Sequence, residues 1–171
     1  MIMRDLTILT GLLQEQIHLH ETLLGYVGDQ RSQIARMQLA DLEKTAKDEQ
    51  RLASEIEELE RLRAEEMGHW AERLGANVSD LTLRELVRHL GESGMDRAEV
   101  SELWALGEKL TAVIDEIRKG NAANRLMLKR GLRFMEDKFE EVTRSEEGEG
   151  YTLRGAKSGA SRVPRVLNVR A

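Results

Sequence analysis

Four histidines are the residues best suited to acid–base or metal chemistry near neutral pH. His18 and His20 are two apart, and on a helix such neighbours point away from each other, so they cannot clamp one metal. His69 and His89 fall in different predicted helices, and neither has a carboxylate at metalloprotease spacing. The chain has no cysteine, which excludes disulfides, thiolate metal sites and a cysteine nucleophile. It also lacks a phosphate-binding glycine loop and a Gly-x-Ser-x-Gly turn. The sequence therefore predicts no catalytic, cofactor or metal site.

The chemistry that is present is that of a binding surface. Leu103, Leu106, Leu110, Val113, Ile117, Asn121, Asn124, Leu128, Gly131, Met135, Phe139 and Val142 recur three and four apart, which marks one face of a helix. Asn121 and Asn124 are the two polar residues in this stripe. They have two readings: they fix helix register at some cost in stability, as polar residues in a coiled-coil seam do, or they hydrogen-bond a bound partner helix. Beyond them Leu126, Met127, Leu128, Leu132, Phe134, Met135 and Phe139 form the most apolar part of the segment. It holds both phenylalanines and two of the seven methionines. Flexible, methionine-containing faces suit helix-in-groove recognition. A plain coiled-coil seam or homodimer contact is the competing reading.

The elements that carry this stripe follow from composition. A third of the residues are charged, aromatics make up 4%, and the single proline, Pro164, stands near the end. Such a composition at helical spacing points to long helices around a thin, linear core. A first helix is predicted from about Arg4 to Met37, with a weak spot or bend where Gly25 and Gly28 interrupt it. Asp41 is a candidate N-cap for a second helix that ends at Leu74, with Gly75 as its stop. Its charged faces read as solvated, with Glu57 and Arg61 at a favourable i, i+4 spacing. Thr82 and Glu85 have capping-box spacing, predicting a short helix to Leu90 and Gly91. Asp96 and Glu99 then cap a long helix that should fray near Arg144. Over Asp96 to Thr143 it would extend roughly 70 Å, too long for propensity alone to hold without partner helices.

The expected fold is all-α: an elongated antiparallel helical hairpin or bundle of three long helices plus one short helix. It would fill residues 1–145 and be followed by a flexible basic tail, 146–171. Residues 41–74 carry eleven acids against six bases, whereas 151–171 carry five basic residues and no acid. The net charge of −5 argues against nucleic acid as a partner of the whole chain. The first residues interleave Arg4, Asp5 and Gln14 with apolar ones, unlike a signal peptide. No run approaches the ~18 apolar residues of a membrane span, so a cytoplasmic location and no membrane insertion are expected.

Three pieces in order resemble the FlgN-type family of flagellar export chaperones. The first is the Ala40-Asp41-Leu42 turn leading into a Glu-rich helix that ends in Leu74-Gly75. The second is Asn121-Ala122-Ala123-Asn124-Arg125-Leu126-Met127-Leu128, similar to an Asn-rich segment late in that family's last helix. The third is Tyr151-Thr152-Leu153-Arg154-Gly155, which looks like its tail motif. The resemblance implies a cytoplasmic all-helical chaperone that binds the C-terminal helices of hook-filament junction proteins, prevents their premature assembly and delivers them to the export gate. By position, Asn121, Asn124, Leu128, Leu132, Met135 and Phe139 would bind the client. Tyr151 and Gly155 would serve docking or handover. The basic extension through Arg162, Pro164, Arg165 and Arg170 matches no part of that pattern. A self-associating coiled-coil scaffold remains the alternative.

Overall fold

A computed structural model describes residues 6–79 and 81–148, with side chains described as far as residue 144. The expected tail, with Tyr151 and Gly155, lies outside the described residues. Those described are all-α: α1 (Thr7–Ala35), α2 (Leu39–Leu74), α3 (Leu83–Glu92) and α4 (Arg97–Gly148). The chain falls into two units, Met1–Gly131 and Leu132–Ala171.

Within the first unit, α1 and α2 form an antiparallel hairpin, joined by hydrogen bonds from Gln33 Nε2 to Thr45 Oγ1 (2.9 Å) and from Gln30 Nε2 to Glu49 Oε2 (2.5 Å). The reversal differs from expectation. Met37 turns the chain in the left-handed region, at φ 56°, and Gln38 is the N-cap of α2. Asp41 lies inside the first turn instead, where its carboxylate still faces the positive end of the helix dipole. Through Gly25 and Gly28, where the sequence predicts a weak spot or bend, α1 runs without a break in the helix.

The remaining boundaries follow local chemistry. Gly75 ends α2 at φ 62°, a conformation in which a Cβ would be strained. Thr82 and Glu85 make the full capping box at the start of α3. Asp96 Oδ1 accepts the backbone N–H of Ala98 at 3.0 Å and caps α4. That helix continues to Gly148, past the fraying point expected near Arg144.

The main core gathers Leu6, Leu9, Leu13 and Ile17 of α1 with Met67, Trp70 and Ala71 of α2, Leu86 and Leu90 of α3, and Val100, Leu103 and Leu110 of α4. A smaller cluster joins Val27 to Val113 and Ile117. Along α2 the charges pair with near neighbours, Lys47 with Glu43 at 2.7 Å and Arg51 with Asp48 at 3.1 Å. Arg61 pairs with Glu58 and Glu65, not with Glu57 as the spacing suggested. The Arg61 guanidinium hydrogen-bonds the Glu58 carboxyl and holds it below the usual carboxylate range. These pairs are exposed, and such pairs add little stability.

Candidate functional site: the apolar face of α4

The stripe on α4 has two parts with opposite surroundings. From Leu103 to Ile117 its residues are buried in the first unit, apart from Leu106, which is half-buried against the main core. Two contacts then fix how α4 lies along α1. A Cβ on Gly120 would stand 2.5 Å from Val27 Cγ1, so the Val27 side chain packs directly on the α4 backbone here and leaves no room for a side chain at position 120. One turn on, Asn124 is 4% exposed; its Nδ2 donates to the Val27 carbonyl at 2.8 Å, and its Oδ1 accepts from Arg31 Nε at 3.4 Å.

Both Gly120 with Val27 and Asn124 with Arg31 join positions 93 apart in the chain, so α1 and α4 run in the same direction. At that spacing Ala35, the last residue of α1, is level with Leu128 of α4. The helix available to cover the stripe ends there. Asn121 is half-buried, and the burial stops after Asn124. Of the two readings of Asn124, the geometry favours register, because both ends of its amide are bonded to α1.

Leu128 is 40% exposed. In the second unit Leu132 reaches 65% and Phe139 71%, with Met135 and Val142 also exposed. Leu128, Leu132, Met135, Phe139 and Val142 continue the face that is buried earlier in the helix, since steps of three and four at ~100° each return to one side. Leu126 and Phe134 are exposed as well but lie off this face. Leu126 is two residues from Leu128, about 200° around the helix. The sequence grouped all of these by composition; helix geometry separates them.

Charge adds a feature that apolar spacing did not single out. Arg125, Lys129, Arg130 and Arg133 follow one another with no acid between them, whereas Glu136, Asp137, Glu140 and Glu141 come next with Lys138 alone among them. The bare stripe therefore passes from a basic to an acidic flank.

The family of the chain is decided by a comparison covering nearly all of it: the family model described as FlgN protein matches residues 1–159. The chain belongs to the FlgN family. FlgN proteins are flagellar export chaperones, a family of chaperones and not of enzymes. No curated protein and no solved structure matches the chain.

The other residues considered for chemistry sit apart. In this FlgN chain His20 is buried, its Nδ1 2.7 Å from the Gln16 carbonyl oxygen, while His18 and His69 are exposed. Glu15 with His18 and Glu66 with His69 have the Glu-x-x-His spacing used in di-iron bundles. Among the described residues, however, no group of three or more His, Cys, Asp or Glu converges to hold a metal. Nor is any helix among them long and apolar enough to cross a membrane.

Proposed function

We propose that this protein is a cytoplasmic export chaperone that receives the C-terminal helical segments of hook-filament junction proteins on the bare face of α4, keeps them unassembled and brings them to the export gate. One observation carries the reading: the stripe on α4 is covered as far as Asn124 and uncovered from Leu128 to Val142. An exposed apolar face of this kind is suited to an amphipathic helix laid along it, with apolar residues meeting Leu128, Leu132, Met135 and Phe139. Asn121 stands at the near edge of this surface, and Asn124 sets the register of the helix that presents it.

A helical client contributes roughly 25 cal/mol per Å² of apolar surface buried, before ordering costs are subtracted. A client that is disordered when free meets those ordering costs on binding, which favours moderate affinity and ready release. Binding and release need no nucleotide, and the role is not enzymatic. In this reading residues 1–145 are the helical chaperone body. Tyr151 and Gly155, in the C-terminal tail 146–171, serve docking or handover at the gate.

Co-purification with the C-terminal segment of a junction protein tests the reading. The wild-type chain is expected to form a soluble complex, and Leu128→Asp combined with Met135→Asp to abolish it with helicity unchanged. Wild-type binding by the double variant would remove the site. A permanent coiled-coil scaffold, the other use of such a stripe, predicts an assembly that survives dilution without any client.

A further inference from the structure

The bare part of the stripe steps four, three, four and three residues from Leu128 to Val142. That mean of 3.5 is the repeat of a coiled-coil seam, which needs a second helix of matching pattern. The flanks say which helix. If two copies of this segment paired in parallel, the basic stretch 125–133 would lie beside itself and the acidic stretch beside itself. In an antiparallel pair each basic stretch lies beside an acidic one. Residues 125–133 then face residues 134–142 of the other copy, where Glu136, Asp137, Glu140 and Glu141 outnumber Lys138.

We infer that in the absence of client the bare face of α4 is covered by the same face of a second copy of this chain, antiparallel, with Leu128 opposite Phe139 and Leu132 opposite Met135 of the second copy. This register uses apolar positions on both sides and is its own mirror under a two-fold axis, as a closed dimer requires. It also sets Lys129 next to Glu136 of the second copy, and Glu136 next to its Lys129, at the seam-flanking positions where charges select partner and orientation. None of Arg125, Lys129, Arg130, Arg133 and Glu136 makes an ion pair within the chain among the described residues, so these charges are free to pair outward.

Two heptads make a short seam. The pair is therefore weak and exchangeable, a cover that a better-matched helix displaces. That last step rests on the client reading above; the pairing itself does not.

The charges provide the test, in the full-length chain, by light scattering over a dilution series from micromolar to millimolar protein. The wild type is expected to pass from monomer to dimer. Lys129→Glu sets acid beside acid in its own pair, and Glu136→Lys sets base beside base. Each is expected to weaken self-association about ten-fold, with helicity unchanged, because these positions are exposed. An equimolar mixture of the two variants places opposite charges at both flanks and is expected to recover wild-type association. A wild type that stays monomeric throughout, or a mixture no tighter than the separate variants, overturns the inference. Client capture, assayed separately, reports on the chaperone reading alone: capture without self-association overturns the pairing and leaves that reading standing.

Discussion

The side-chain amide of Asn124 donates to the main-chain carbonyl of Val27 at 2.8 Å, tying the middle of α4 to α1 one turn after the close approach at Gly120. A buried amide held at both ends contributes its bonds and would incur a desolvation cost without them. Asn124→Ala is therefore expected to lower stability by about 1–2 kcal/mol in urea denaturation. Client capture by the folded variant should be unchanged. Loss of capture at full stability would return Asn124 to the binding surface.

Two glycine positions should respond in opposite directions. Gly28 lies on an exposed side of α1 with open space where a Cβ would stand. Gly28→Ala is expected to raise stability by up to about 1 kcal/mol, the helix-propensity difference. Gly120→Ala meets Val27, a β-branched side chain with little rotamer freedom, and is expected to cost about 1–3 kcal/mol. Thermal melts of the two variants beside wild type check the pair of signs.

Met37 holds a left-handed backbone and is exposed. A Cβ in that region costs roughly 1–2 kcal/mol, so Met37→Gly should relieve strain and raise the melting temperature despite the greater freedom of an unfolded glycine. A lower melting temperature would mean that the methionine side chain contributes packing that its exposure does not suggest.

The two faces of the exposed segment should separate cleanly in binding. Leu132→Asp or Phe139→Asp lies on the stripe and is expected to weaken capture of a junction-protein segment at least ten-fold. Leu126→Asp and Phe134→Asp, off the stripe, should leave it within about two-fold. Equal losses from all four would indicate a client that wraps the helix instead of lying along one side.

Helix type, number and most ends were legible because their causes are local: the capping box at Thr82 and Glu85, the Asp96 cap, the glycine stop at Gly75. The turn between α1 and α2 was not. Asp41 is the better cap by residue type, but Met37 adopts a left-handed conformation that its type does not announce, and α2 starts two residues before Asp41. The stripe of α4 was readable as a periodic face, and its division near Asn124 as a change in composition. What sequence could not give was the cause of that division. Whether an asparagine in a seam faces its own chain or another depends on which helix lies opposite, and here Val27 and Arg31 are nearly a hundred positions away. The polar stretch of α1 at Gln30 and Arg31 has the same kind of cause, for these side chains bond Glu49 of α2 and Asn124 of α4.

At the spacing of 93 that joins α1 to α4, Thr7 is level with Val100, close to the start of α4, but one helix has 29 residues and the other 52. Their difference works as a ruler. Moving the Met37 turn outward by one heptad would shield two more seam positions of α4, and moving it inward would uncover two. In the proposed reading, the position of that turn sets the length of client helix that the bare face can hold.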